Sequence, residues 1–182
     1  MQLLYAGSSI RTHSGIYLDV FRPTTEMINI EDIAHGLSFQ PRFGGHLSQF
    51  YSVAQHSWFC YQLASPEHKL AALLHDASEG LGLCDLPKPI KNQIPQYAEI
   101  EDNLMRVVAE KFGFEYPLAP EIKEIDQIAL VTEWDCLVKG SISVLVSMTP
   151  AEAKQKFLDA FYEVTEARKP ETQPLFHFSK AA

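Results

Sequence analysis

The stretch Leu70-Ala71-Ala72-Leu73-Leu74-His75-Asp76-Ala77-Ser78-Glu79 decides the fold class and raises the question of function. Its first half has no polar side chain on any face, which predicts a helix buried on all sides. Its second half places His75, Asp76 and Glu79 in the same buried helix. Because a carboxylate is costly to bury without a partner, we expect these three groups to line a cavity.

The remainder of the chain predicts an all-α fold around this helix. Periodicity indicates helices at about 30–38, 48–64, 67–82, 97–112, 120–139 and 150–166, with prolines in most of the gaps. Alternating residues around Ser14-Gly15 predict a small N-terminal β-hairpin between Ser9–Arg11 and Ile16–Val20. Thr149-Pro150-Ala151-Glu152 predicts a helix start, with threonine as the N-cap and glutamate completing a capping box.

We expect a single domain over residues 1–182. A chain of 182 residues can bury a core without disulfides, and no Gly/Ser-rich or charge-rich linker divides it. The hairpin would occupy about 8–21 and the helical core about 29–168, followed by an irregular tail over 169–182. The aromatic face of the last helix could close the core or form the interface of a homodimer; it consists of Phe157, Phe161 and Tyr162.

Composition and charge exclude several classes of protein. With 46% hydrophobic and 21% charged residues, the chain has the composition of an ordinary globular protein. A formal charge of −8 and scattered lysines argue against a surface that binds nucleic acid polymers. No apolar run has membrane-spanning length, and the N-terminus lacks a signal pattern, so we expect a cytoplasmic protein that does not contact membranes. Cys60, Cys84 and Cys136 form no C-x-x-C pair and are expected to be reduced core residues.

Two more ionisable residues, His56 and Asp126, are predicted to lie on mostly apolar helix faces. A single histidine of this kind is usually a hydrogen-bonded core residue, and a single aspartate could cap a helix or pair with a lysine. Their neighbours by helical phasing are Ser52, Val53, Phe59, Cys60 and Leu63 for His56, and Ile122, Ala129, Leu130, Glu133 and Leu137 for Asp126. Considered with His75 and Asp76, however, they give two imidazoles and two carboxylates from three helices, enough for one divalent cation.

The predicted metal ligands are therefore His56, His75, Asp76 and Asp126, with two positions of an octahedron left for water or substrate. Mixed nitrogen and oxygen donors favour Mn, Fe, Co, Ni or Zn over calcium, with Mg as a further candidate. No cysteine is expected at ligand spacing. Glu79 would lie beside the cation as a base or acid that is not a ligand. The cation would also offset the cost of burying the carboxylates, which accounts for the ionisable end of the central helix.

The order H…HD…D resembles the HD-domain metal-dependent phosphohydrolases. The likeness covers about residues 10–140 and includes His56, His75-Asp76 and Asp126. It extends through Ile30–Ser38, Pro41–His46, Tyr51–Ser57 and Asp85–Lys91. Together these segments resemble the branch that holds the 5′-deoxynucleotidases and the small deoxynucleotide phosphohydrolases.

The resemblance implies an HD-domain helical bundle with a mononuclear site. It implies that Glu79 orients or deprotonates the attacking water, that Arg42 holds the phosphate that is cleaved, and that Asp85 approaches the sugar or the water. A guanidinium can grip a phosphoryl group in two places, which suits Arg42. Phe43 and Lys91 are expected to contact the substrate.

Two positions depart from relatives within this family. Members that discriminate against ribose carry tryptophan after the arginine, whereas this chain has Phe43, so a preference for the deoxy sugar is not implied. Some two-metal relatives carry a further histidine where this chain has Leu74, so a second tight metal site is not expected.

The main functional prediction is metal-dependent hydrolysis of (deoxy)nucleoside 5′-monophosphates to nucleoside and phosphate. One alternative is release of triphosphate or pyrophosphate from a deoxynucleoside triphosphate, with Lys88 and Lys91 contacting the extra phosphates. Another is a regulatory module that binds nucleotide and metal without turnover. Glu79 and Arg42 argue against the module, because a pure binder would not need a base beside the metal.

Overall fold

The computed structural model describes residues 5–141 and 144–167 of the chain. Within these ranges the protein is mostly helical with one small antiparallel sheet, which confirms the all-α fold class. No helix of the described ranges combines the length and the apolar character needed to span a bilayer. The predicted tail, 169–182, lies outside the described residues.

The N-terminal sheet contains the predicted hairpin and one further strand. Strands β2 (Ser9–Arg11) and β3 (Tyr17–Asp19) pair antiparallel, with Ile10 opposite Leu18. Strand β1 (Tyr5–Ala6) adds to the other edge of β2 and is too short to leave an alternating pattern in the sequence. Leu18 is buried in the main core, which attaches the sheet to the helices.

Eight α-helices form the rest of the described fold. A π-helical turn, Trp134–Val138, continues the seventh of them, and 3-10 turns lie at Thr25–Met27 and Phe43–Gly45. The helices are α1 (Ile30–Phe39), α2 (Val53–Leu63), α3 (Lys69–Leu74), α4 (Ala77–Gly80), α5 (Lys88–Lys91), α6 (Pro95–Phe112), α7 (Pro120–Glu133) and α8 (Pro150–Ala167).

The predicted helix at 48–64 is wrong over its first turn. The N–H of Arg42 donates to the carbonyl of Tyr51 at 2.9 Å, and this pairing keeps the residues before the helix extended. Ser52 then caps α2 by accepting the N–H of Gln55 at 3.1 Å. The helix therefore begins at Val53.

The predicted continuous helix at 67–82 is also wrong, because it is interrupted at the His75-Asp76 pair. Helix α3 ends at Leu74 and α4 begins at Ala77. Asp76 has φ −104° and ψ 16°, a sparsely occupied backbone region where many active-site residues lie.

Helices α1 and α4 cross with their backbones in contact. A Cβ atom on Gly36 would lie 2.0 Å from the carbonyl oxygen of Gly80, and one on Gly80 would lie 2.6 Å from that of Ile33. No side chain fits between the two helices at this point. The crossing therefore fixes α4, and with it Glu79, against α1.

Helix α8 closes the core, which is one of the two roles predicted for its aromatic face. The predicted capping box is present: Thr149 N–H donates to Glu152 Oε2 at 2.8 Å, and Glu152 N–H donates to Thr149 Oγ1 at 3.3 Å. Phe157 and Phe161 are buried in the main core, whereas Tyr162 is exposed. A homodimer stays a prediction.

Candidate metal centre and active site

The four predicted metal ligands meet at one point, although they come from three separate helical segments. His56 lies in α2, His75 and Asp76 lie between α3 and α4, and Asp126 lies in α7. His56 Nε2 is 3.1 Å from Asp126 Oδ1 and 3.8 Å from Asp76 Oδ2. His75 Nε2 is 3.2 Å from Asp76 Oδ2 and 4.0 Å from Asp126 Oδ1.

These separations fit one divalent ion. Ligand atoms about 2.1 Å from a common ion lie about 3.0–4.2 Å apart in an octahedron, and all four measured separations fall in that range. The buried Nε2 of His75 makes no hydrogen bond to any described residue, although it lies 3.2 Å from Asp76 Oδ2. The side chains present therefore suit the predicted cation.

The second nitrogen of each imidazole is held by an oxygen atom of the protein. His56 Nδ1 is 2.7 Å from Glu133 Oε1, and His75 Nδ1 is 2.8 Å from the carbonyl oxygen of Ala72. When Nδ1–H donates to such an oxygen, Nε2 keeps its lone pair, and metal-binding histidines are usually arranged in this way. Both rings are thus oriented with Nε2 towards the two aspartates.

Negative charge dominates around the two rings. Burial lowers the pKa of His75, but Asp76 outweighs burial and raises that pKa to about 10. Burial and the charge of Arg42 lower the pKa of His56, but Glu133 and Asp126 outweigh them. The pKa of His56 is therefore raised well above its ordinary value. The carboxylates that surround the two rings attract positive charge, which favours the entry of a cation.

Glu133 links the candidate ligands to Arg42, a role that the sequence did not predict. Its carboxylate is fully buried, with Oε1 2.7 Å from His56 Nδ1 and Oε2 3.0 Å from an Arg42 nitrogen. A buried carboxylate persists only when it is paired. The one indication in the sequence is that Glu133 follows Asp126 by seven residues, which places both on the same helix face.

Cys60 lies closer to the centre than predicted. Its Sγ is 3.6 Å from His56 Nε2. Among the described residues, ligand atoms within 4.8 Å of one another come from His56, Cys60, His75 and Asp126. The expectation that no cysteine sits at ligand spacing is therefore wrong, because a spacing of four places Cys60 on the same face of α2 as His56. All three cysteines are free, but core placement holds only for Cys60, since Cys136 is half-buried and Cys84 is exposed.

The centre opens into a cavity of about 1090 Å³, a volume suited to a small-molecule substrate. Two of the metal-ligand candidates, Asp76 and Asp126, line it. The cavity is also lined by every residue predicted for catalysis or substrate contact: Arg42, Phe43, Glu79, Asp85 and Lys91. The structure thus brings both groups of predicted residues to one space.

Glu79 is a buried carboxyl group on the cavity wall. Burial, together with the charges of Asp76 and Asp85, raises the pKa of Glu79 to about 9. Its Oε2 makes no hydrogen bond within the part of the chain that the structure describes. The side chain of Gln40 positions this segment, since its amide donates to the carbonyl of Glu79 and its Oε1 accepts the N–H of Asp85 at 2.9 Å.

Arg42 and Lys91, the two cationic residues predicted to contact the substrate, have different partners in the structure. The Arg42 side chain is 11% exposed and pairs with Glu133, while its Nε has no hydrogen-bond partner among residues 5–141 and 144–167. Lys91 Nζ lies 2.5 Å from Glu101 Oε1. Arg42 therefore has one buried donor without a partner among the described residues, whereas Lys91 would have to share its charge with Glu101.

Comparison with known proteins finds bacterial relatives. The chain is 35% identical to the Escherichia coli protein YfdR over 177 residues, which cover 89% of this chain and 98% of the relative. It is 42% identical to a Rhodobacter capsulatus protein over 123 residues, which cover 62% of each. Both relatives are described only as uncharacterized proteins. No family model matches the chain.

Proposed function

The chain belongs to the family of Escherichia coli YfdR, and from its site we propose that it is a metal-dependent phosphohydrolase of the HD-domain type. Its substrates would be (deoxy)nucleoside 5′-monophosphates, which it would convert to nucleoside and phosphate. The observation that carries the proposal is the close approach of His56, His75, Asp76 and Asp126 beside a cavity that Asp76, Asp126, Glu79 and Arg42 line.

His56, His75, Asp76 and Asp126 would hold one divalent cation. Their mixed donors favour Mn, Fe, Co, Ni or Zn, with Mg as a further candidate. When bound, the cation would supply the positive charge that polarises a phosphoryl oxygen and makes water more acidic.

Arg42 would bind the phosphate. Its contact with Glu133 fixes the guanidinium at the cavity wall and leaves Nε without a partner among the described residues. Charge-assisted hydrogen bonds from a guanidinium are strong and well directed, so Arg42 would also stabilise the charge that grows on the phosphoryl oxygens.

Glu79 would accept the proton of the attacking water. Burial and the carboxylates of Asp76 and Asp85 raise the pKa of Glu79, and a cation held by Asp76 would oppose that repulsion. The pKa of Glu79 would then fall towards the range of a general base at neutral pH. Asp85, which Gln40 holds in place, would orient the sugar or the water.

The test is an assay of the purified protein against deoxynucleoside and nucleoside mono- and triphosphates, with Mn, Co, Mg and Zn in turn. Nucleoside and orthophosphate from monophosphates are expected. Triphosphate or pyrophosphate from a triphosphate would support the alternative hydrolase, and nucleotide binding without phosphate release would support the regulatory module.

A variant of one ligand makes the assay specific to the site. Asp76→Asn should lower turnover by at least about 100-fold. Asp159→Asn changes an exposed aspartate in α8 and should keep full turnover. Full turnover by a folded Asp76→Asn protein would refute the proposal.

A further inference from the structure

One helix face joins the metal centre to an apolar part of the cavity. The face consists of residues four apart along α7 and its π-helical continuation, all of which line the cavity: Asp126, Leu130, Trp134 and Val138. Trp134 is eight positions after Asp126, which corresponds to about 12 Å along the helix axis. The lining therefore begins with a carboxylate at Asp126 and is apolar from Leu130 to Val138, with the aromatic ring of Trp134 in the apolar part.

Trp134 is not used by the core. Its side chain is 44% exposed and belongs to neither hydrophobic cluster of the described residues. The helix changes from α to π geometry at this residue, an irregularity that is frequent at functional sites. A large exposed aromatic ring on a cavity wall is better explained by a ligand than by packing.

Phe43 lies beside Trp134 and connects it to the phosphate end. The two ring centroids are 6.1 Å apart, and the ring planes are tilted by 43°. Phe43 has φ 56°, a left-handed conformation that bulky residues rarely adopt and that is concentrated at ligand sites. The guanidinium carbon of Arg42 lies 5.6 Å from the centre of the Phe43 ring.

We propose that Trp134, with Phe43 beside it, binds the base of a nucleotide whose phosphate lies at Arg42 and at the cation that Asp126 would help to hold. This assignment rests on the proposed function, because it takes the phosphate end of the cavity from it. A nucleobase is flat and stacks on an aromatic ring. The carboxylate end of the face then corresponds to the phosphate, and Trp134 corresponds to the base.

The geometry also indicates how the base is held. Because the two rings are tilted by 43°, they do not form a parallel slot, and the base would stack on one face of Trp134. Leu130 and Val138 would enclose its edge. Stacking is tolerant of base identity, since every base has a π-face, so the site would accept several nucleotides.

Tryptophan fluorescence tests the assignment directly. The chain has two tryptophans, so Trp58→Phe leaves Trp134 as the sole emitter. With Glu79→Gln added to prevent turnover and Mg²⁺ present, dAMP should quench the emission. Deoxyribose 5-phosphate, which lacks the base, should leave the emission unchanged. Equal responses to the two compounds would overturn the proposal.

Calorimetry separates a base site from a structural role. Trp134→Leu should raise the Kd for dAMP at least about 10-fold, and Trp134→Phe should restore most of the affinity. Neither change should alter the Kd for deoxyribose 5-phosphate. Val131→Ala, an exposed residue of α7 outside the cavity lining, is the matched control and should bind both compounds normally. Equal losses for both compounds in Trp134→Leu would overturn the proposal.

The outcomes for the base site and for the proposed function are distinguishable, because binding needs no phosphate release. A protein that binds dAMP through Trp134 and hydrolyses no nucleotide would keep the base site and refute the phosphohydrolase. Hydrolysis of nucleotide and deoxyribose 5-phosphate with equal efficiency would support the phosphohydrolase and refute the base site.

Discussion

Glu133 holds two buried side chains at once, an imidazole and a guanidinium. Each of its carboxylate oxygens has a different partner, His56 on one side and Arg42 on the other. Because Glu133 is fully buried and Arg42 is only 11% exposed, the loss of the carboxylate charge leaves the guanidinium without compensation. The same contact that orients a metal-ligand candidate therefore also positions the phosphate-binding candidate.

Glu133→Gln should reduce both stability and metal affinity, because glutamine keeps the shape of the side chain and removes its charge. We expect the free energy of unfolding to fall by about 3–5 kcal/mol, measured by urea denaturation. Affinity for Mn²⁺ should fall by about 10–100-fold, measured by calorimetric titration. Glu124→Gln, an exposed residue of α7, should change neither quantity. Unchanged Mn²⁺ affinity in Glu133→Gln would exclude Glu133 from the centre.

At the residue scale, the sequence predicted the candidate ligands that lie close together better than the residues that support them. His56 and Asp126 are recognisable because each places an ionisable group on an apolar helix face. Cys60 and Glu133 share those faces, but a periodic pattern does not tell which residues of a face reach a common point. That depends on how α2 packs against α7, which is a tertiary property.

At the scale of elements, the crossing of α1 and α4 should be intolerant of any side chain. Alanine normally favours a helix over glycine by about 1 kcal/mol, but a Cβ on Gly36 would lie 2.0 Å from a backbone oxygen. Overpacking of this kind costs about 1–3 kcal/mol, so the clash should prevail. We expect Gly36→Ala to unfold at lower urea concentration and to lose turnover, because α4 carries Glu79.

Gly113→Ala is the comparison for this prediction. Gly113 has φ 71° and nothing within 4 Å of an added Cβ, so alanine there should cost about 1 kcal/mol through backbone conformation alone. Turnover should be unchanged. If Gly36→Ala proved more stable than the natural protein, the two backbones could not be in contact.

The end of strand β3 should contribute to stability in a pH-dependent manner. The hydroxyl of Ser8, the backbone N–H of Phe21 and the guanidinium of Arg22 donate to Asp19 and lower the pKa of its carboxyl group. Since the folded-state pKa lies below the unfolded value, this stabilisation is complete above about pH 4 and is lost as the pH falls through the folded-state pKa. Asp19→Asn should therefore lose less stability on acidification, measured as urea midpoints between about pH 6 and pH 3. If the urea midpoints of the natural protein and of Asp19→Asn fell equally with pH, Asp19 would not contribute this pH-dependent stability.

The break between α3 and α4 could not be read from the sequence. Ala77, Ser78 and Glu79 are all compatible with a helix, so periodicity alone continues the helix through them. The interruption accompanies tertiary contacts, namely the backbone approach of Gly80 to α1 and the hydrogen bond from Gln40. By contrast, α6 and α8 lie close to their predicted positions, because each is long, begins at a proline and has a regular apolar face.

For the whole molecule, the centre joins segments that are far apart in the chain. Helix α2, the α3–α4 break and α7 each contribute candidate ligands, so a cation that binds all of them should stabilise the fold as a unit. At a Mn²⁺ concentration about 100-fold above Kd, the gain should be about 2.7 kcal/mol, and Tm in calorimetry should rise with Mn²⁺ and fall with a chelator.

Two histidine variants give this prediction its control. His56→Ala should abolish the dependence of Tm on Mn²⁺. His68→Ala should preserve it, because His68 pairs with Glu121 away from the centre. If the natural protein melted at the same temperature with and without Mn²⁺, the four residues would not form a metal site.

The spacing along α7 makes the proposed base site sensitive to insertions. Inserting one residue between Asp126 and Trp134 would rotate every later side chain by about 100° and turn the ring away from the cavity while the aspartate stayed in place. Replacing Leu130 or Val138 would change only the shape of the wall. At the proposed base site, a point mutation would therefore adjust ligand preference, whereas an insertion in this helical segment would remove the site.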